Sequence, residues 1–225
     1  MPSKYSKTQK HSKSRGLNRD FSLEPDDEFH WLDYKFTLFF TALLTGIYLI
    51  SSLIFENENI LLIASPKMVD LFALNNFLVL TDLGQSYRMI SSLLVHANIF
   101  HLGGNLLFFV IFSIRLEEMK GWKIAFLMFL IAGLAGNVLT LLIFGANPFF
   151  WSLGASGGVN GVFAANLVTM RKKYDKGSLS ALAFLIFFAS FTIAGPNSNF
   201  FAHLGGLIGG GLFMYILDEY FDKEI

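Results

Sequence analysis

Leu153-Gly154-Ala155-Ser156-Gly157-Gly158-Val159-Asn160-Gly161-Val162-Phe163-Ala164-Ala165 opens a stretch of membrane-grade apolar sequence, yet it begins with a serine among glycines. A second stretch, Phe200 to Leu217, carries His203 near its start. A serine and a histidine at matching positions in two lipid-buried helices point to hydrolytic chemistry where water is scarce.

The composition belongs to lipid. Hydrophobic residues make up 53% of the 225-residue chain and charged ones 15%, against about 25% charge in soluble domains. The formal net charge is +0, which gives no sign of a nucleic-acid partner. No cysteine is present, so a disulfide framework, a thiolate nucleophile and a cysteine-based metal site are excluded.

A bilayer core of ~30 Å takes about 20 apolar residues as helix. Six stretches qualify or come close: Phe36–Phe55, Met89–Ile114, Ile124–Phe144, Leu153–Met170, Leu179–Ala194 and Phe200–Leu217. The expected fold class is all-α, a polytopic bundle of six transmembrane helices. The first stretch starts too late and runs too long for a cleaved signal peptide and reads as a retained span. With the N-terminus inside, every Lys and Arg except Lys67 and Arg88 falls on the inner side. That distribution follows the positive-inside rule and puts both termini in the cytoplasm. Residues 1–35 read as a basic, then acidic, disordered tail. Residues 36–217 read as the membrane domain and 218–225 as a short inner tail. The outer loop from Glu56 to Tyr87 mixes apolar and polar residues, as suits a segment lying in the interface.

Charge positions give a depth. Ser156 precedes Arg171 by 15 residues, His203 precedes Asp218 by 15, and His101 precedes Arg115 by 14. At ~1.5 Å per residue all three lie ~21–22 Å above the inner edge, or roughly 8–9 Å below the outer surface of a ~30 Å core. A serine hydroxyl needs a base to become a nucleophile, and His203 is the obvious one. No Asp or Glu lies within any span to complete a triad. An intramembrane carboxylate costs at least ~2.5 kcal/mol, which makes the omission sensible. Gly157/Gly161, Gly205/Gly209 and Gly206/Gly210 are pairs of small residues four apart, which let helix backbones approach closely. His101 and Asn105, one helical turn apart, can both donate N–H groups to a developing oxyanion, and the backbone N–H of Ser156 is a further candidate. Taken singly, a serine beside glycines is usually a packing residue, and an intramembrane histidine can relay protons or bind an ion. His96 and His101, five apart, make a poor metal pair. Jointly, in one layer, the residues favour catalysis.

At this point the chain resembles the rhomboid family of intramembrane serine proteases. The family's GxSG motif stands as Gly154-Ala155-Ser156-Gly157, and its HxxxN as His101-Leu102-Gly103-Gly104-Asn105. The pattern of its last helix stands as Ala202-His203-Leu204-Gly205-Gly206, continued by Gly210. The resemblance implies a six-helix rhomboid-like domain with Ser156 as nucleophile and His203 as general base. It also implies an oxyanion hole at His101 and Asn105. Gly154, Gly157, Gly161, Gly206 and Gly210 would support the packing. Substrates would be transmembrane proteins cleaved in or near their spans, with no cofactor and no metal. The fifth span, with Phe184, Phe187, Phe188 and Phe191, and the 195–199 loop would form a gate. Tyr87-Arg88 stands where the family has Trp-Arg, and Glu117-Glu118-Met119 lacks the arginine of the family's Glu-x-Arg. The layout is most like a bacterial inner-membrane form. Two other classes fit the same residues: a non-proteolytic scaffold for transmembrane clients, and a proton- or ion-coupled transporter, although the two halves show no convincing repeat.

Overall fold

A computed structural model describes residues 30–54, 62–174 and 198–221 of the chain. Helix α1 runs Lys35–Ile54 and starts against the carboxylate of Glu117. That carboxylate accepts from Phe36 N (3.1 Å), Thr37 N (2.9 Å) and Thr37 Oγ1 (2.5 Å). It thereby satisfies backbone donors that the first turn of a helix leaves without partners. Glu117 is thus held by α1, and the missing arginine of Glu-x-Arg is not needed to engage it. Tyr34 adds a bond from its hydroxyl to Glu118 (2.9 Å).

The segment expected to be the outer loop is built from small pieces. Helix α2 spans Pro66–Phe72, strand β1 Leu74–Asn75, helix α3 Asn76–Thr81 and helix α4 Arg88–Ser91. Leu71, Phe77, Leu80 and Leu83 are exposed, as fits a segment resting in the bilayer interface. Arg88 is buried, donating to Ala73 O (2.9 Å) and Gln85 Oε1 (2.7 Å), with its guanidinium 6.0 Å from the Trp151 ring centroid. Tyr87 uses its hydroxyl on Leu71 O (2.7 Å). Tyrosine therefore still anchors the loop where the family has tryptophan.

The span expected to start at Met89 starts later. Met89 belongs to α4, residues 92–98 are non-helical connection, and α5 runs Ile99–Lys120. Asn98 has extended backbone and its side chain accepts from His101 N (2.8 Å), which caps the helix there. Leu93 and Val95 are buried in protein, with Leu93 against Gly133. An apolar run that reads as lipid-facing helix is a loop folded into the core.

Gly121, with φ 82°, separates α5 from α6 (Trp122–Phe144), and Gly145, with φ 54°, ends α6. Strand β2 (Trp151–Ser152) pairs antiparallel with β1, Leu74 opposite Ser152 and Asn75 opposite Trp151. Helix α7 runs Ser156–Tyr174 and helix α8 Phe200–Phe221. Lys120 Nζ lies 2.6 Å from the buried Asp218 carboxylate and joins the C-terminal ends of α5 and α8.

Helices α1, α5, α6 and α8 are long and apolar enough to cross a membrane. Helix α7 is of spanning length but richer in Gly, Ala and Asn. Residues 154–166 are buried without interruption, because α7 packs against α5, α6 and α8. A helix enclosed by protein meets other helices rather than lipid, and there small residues serve better than large apolar ones. Five of the six expected spans thus correspond to described helices. The expected fifth, Leu179–Ala194, with Phe184, Phe187, Phe188 and Phe191, lies outside the described residues. So do the tail up to residue 29, loop residues 195–197 and the last four residues.

Candidate active site

The site forms where the N-terminal ends of α5, α7 and α8 meet the connection ahead of α5. Gly154 has φ 118°, a conformation that favours glycine. A Cβ there would lie 2.7 Å from the His101 ring and 3.6 Å from Asn105 Nδ2. The turn before Ser156 therefore lies directly against His101 and Asn105. Two bonds suspend that turn from the preceding segment: Gly154 N donates to Ser92 O (2.8 Å), and Ala155 N donates to His96 Nε2 (3.3 Å). Ser92 is itself fixed by Asn137 Nδ2, which donates to Ser92 Oγ (3.0 Å) and Met89 O (2.8 Å).

Ser156 is the first residue of α7, so its backbone N–H is among those a helix start leaves free for an anion. His203 lies in the first turn of α8. Its Nε2 is 2.8 Å from Ser156 Oγ, and both residues are buried. The approach depends on glycine. A Cβ on Gly206 would lie 2.1 Å from Gly157 O, and one on Gly210 would lie 2.5 Å from Gly161 Cα. One on Gly161 would meet Ala132 Cβ and, at 2.9 Å, Gly206 O. Backbone meets backbone along this seam, and any side chain there would force the helices apart.

The structure brings Ser156, His203, His101 and Asn105 together, with Gly154 between the last two and the serine. Asn105 is buried and spends one Nδ2 hydrogen on His101 O (3.1 Å), which leaves the amide a second donor. A hydroxyl held by an imidazole, beside side-chain and backbone N–H donors, can perform nucleophilic acyl transfer. Among the described residues no three His, Asp or Glu side chains gather as a metal-ligand set. Sequence reasoning missed His96, set aside as half of a poor metal pair, whose ring lies 5.2 Å from that of His101 and supports the Ser156 turn. It also missed Asn160, one turn after the serine, whose Nδ2 donates to Ser156 O (2.8 Å). The signal for His96 was its position just ahead of the Asn98 cap, which excludes it from the helix.

A Rhomboid domain model matches residues 83–220, which include all of these residues. The chain belongs to the rhomboid family. Among its rhomboid relatives is "Rhomboid-like protease 3" of Toxoplasma gondii, 34% identical over 151 residues, covering 63% of this chain and 54% of the relative. "RHOMBOID-like protein 6, mitochondrial" of Arabidopsis thaliana is 33% identical over 135 residues, covering 59% of this chain and 44% of the relative. "Putative rhomboid protease YdcA" of Bacillus subtilis (strain 168) is 30% identical over 141 residues, covering 59% and 68%. The matched parts span about half the length of the first two relatives. Rhomboid membership and the apolar helices make this a multi-pass membrane protein.

Proposed function

We propose that this rhomboid protein is an intramembrane serine endopeptidase that cleaves transmembrane proteins in or near their spans. The observation that carries the reading is the 2.8 Å approach of His203 Nε2 to Ser156 Oγ. Ser156 Oγ attacks the scissile carbonyl while His203 takes its proton, and a C–O bond forms as the carbonyl π bond opens. His101, Asn105 and the Ser156 N–H stabilise the resulting oxyanion; one such donor contributes ~2.7–4 kcal/mol in the transition state. Collapse expels the amine, which takes the proton from His203. Water, activated by the same imidazole, then releases the acyl group from Ser156. Burial of the imidazole between helices substitutes for the orienting carboxylate of a triad.

Both termini face the basic, inner side in this reading and the dyad opens toward the outer face, with a bacterial inner membrane as the proposed location. The test is labelling of Ser156 by a fluorophosphonate, together with cleavage of a model transmembrane substrate in proteoliposomes. Ser156→Ala abolishes both, and His203→Ala slows both by at least ~10³-fold. Substrate cleavage by Ser156→Ala at the normal rate would refute the proposal.

A further inference from the structure

Asn199 lies four positions before His203, at the entry to α8, and its side chain joins three elements. Its Oδ1 accepts from Ala202 N (3.1 Å) and caps the helix. Its Nδ2 donates to Thr140 Oγ1 on α6 (2.9 Å) and to Ser152 Oγ on β2 (2.8 Å). Its main-chain oxygen accepts from His203 N (3.2 Å). Both amide hydrogens and the carbonyl of the side chain are thus engaged.

The partners are themselves anchored. Thr140 Oγ1 donates to Gly136 O (2.9 Å), and Thr140 O accepts from Asn76 Nδ2 (3.2 Å). Ser152 is four residues before Ser156 and is paired with Leu74 of the outer loop. Asn199 therefore connects the helix that carries the histidine to the strand that leads into the serine.

A Ser–His bond needs the starts of α7 and α8 held in register as well as close. Closeness comes from glycine: Ala202 O is wedged between Gly136 and Gly157, whose added Cβ atoms would lie 2.4 and 3.2 Å away. Such contacts stop lateral approach but offer little resistance to sliding or rotation, because dispersion contacts have no strong direction. The bonds from Asn199 to Thr140 and Ser152 supply the direction. We infer that Asn199 is a positioning residue, holding the first turn of α8 to α6 and β2 so that His203 Nε2 stays within reach of Ser156 Oγ. This rests on the dyad reading of the site. Deeper in the bundle α8 remains packed on α6 and α7 through Gly205, Gly206, Gly209 and Gly210. Loss of the outer ties therefore loosens the first turn and leaves the fold.

Asn199→Ser tests this on the full chain in detergent. Serine keeps a capping oxygen but is too short to reach both hydroxyls. Misplacement of a catalytic group by about 1 Å can cost ~10²-fold, so fluorophosphonate labelling of Ser156 should slow by about 10- to 100-fold. The thermal midpoint and the KM for a transmembrane substrate should hold while kcat falls. Ser152→Ala and Thr140→Val, each removing one tie, should slow labelling by smaller factors. Asn199→Ser combined with Ser152→Ala should be no slower than Asn199→Ser alone. Wild-type labelling rates in all three single variants, or slowing that matches only the unfolded fraction, overturn the positioning role. Absence of labelling in the wild-type protein overturns the dyad reading instead.

Discussion

Replacing Gly206 with alanine should disable the site without unfolding the bundle. The new Cβ would lie 2.1 Å from Gly157 O and 2.7 Å from Gly157 C, both backbone atoms that no rotamer change can move. Ordinary contact begins near 3.4 Å, so α7 and α8 must separate locally by about 1.3 Å. Gly157 is adjacent to Ser156, and Gly206 is one turn past His203. A separation of that size stretches the 2.8 Å Ser156–His203 bond toward 4 Å, beyond hydrogen-bond range. Overpacking of this kind costs ~1–3 kcal/mol of stability, while catalysis should fall by ~10²-fold or more. Gly211→Ala is the control. Its Cβ would meet Ala164 Cβ at 3.6 Å, an ordinary contact, and alanine is favoured over glycine in a helix by up to ~1 kcal/mol. The assay is the second-order rate of fluorophosphonate labelling at Ser156, with thermal melting in detergent alongside. Wild-type labelling by Gly206→Ala, or equal losses in the two variants, would refute the claim that the glycine seam sets the dyad distance.

Asn105→Ala should lower kcat for a transmembrane substrate by ~10²–10³-fold with KM little changed, since an oxyanion donor acts in the transition state; steady-state kinetics in proteoliposomes check this, and an effect confined to KM would count against it. Glu117→Ala removes an acceptor of three hydrogen bonds at the start of α1. Bonds to charged groups contribute ~1.5–3 kcal/mol each but do not add fully. A loss of ~3 kcal/mol would lower the thermal midpoint by about 6–12 °C in a chain of this size; a change under about 2 °C would show that α1 is held by other contacts.

Much of the site was legible because its chemistry clashes with its surroundings. Ser156 and His203 stand out against apolar sequence, and each precedes a charged residue, Arg171 or Asp218, by the same 15 residues. Both lie on unbroken helices, so each count is a fixed rise along a helix axis. The glycine spacing on α7 and α8 is a local pattern, and the close seam follows from it. The start of α5 was misread because hydropathy cannot separate lipid-facing helix from an apolar loop buried in protein. Leu93 and Val95 are such a loop. Ser92, Asn137 and Asn199 were invisible for a related reason. Their ties across the fold go to partners 45 to 62 positions away, and the local signal at Asn199, a helix cap, says nothing of them. The Asn98 cap marks His96 as lying outside the helix, but its bond to Ala155 N depends on a partner 59 positions away.

The separation of serine and histidine along the chain also bears on biogenesis. Everything that cradles the serine's turn, from Ser92 through Asn105, is made before Ser156 itself. His203 follows Ser156 by 47 positions. At ~5–20 residues per second a ribosome takes roughly 2–9 s to cover that interval. During that time the nascent chain holds the Ser156 hydroxyl without His203, the imidazole that meets it in the folded chain. In the proposed reading, insertion of α8 is the step that arms the site: it brings His203 to Ser156 and also completes the packing around α7.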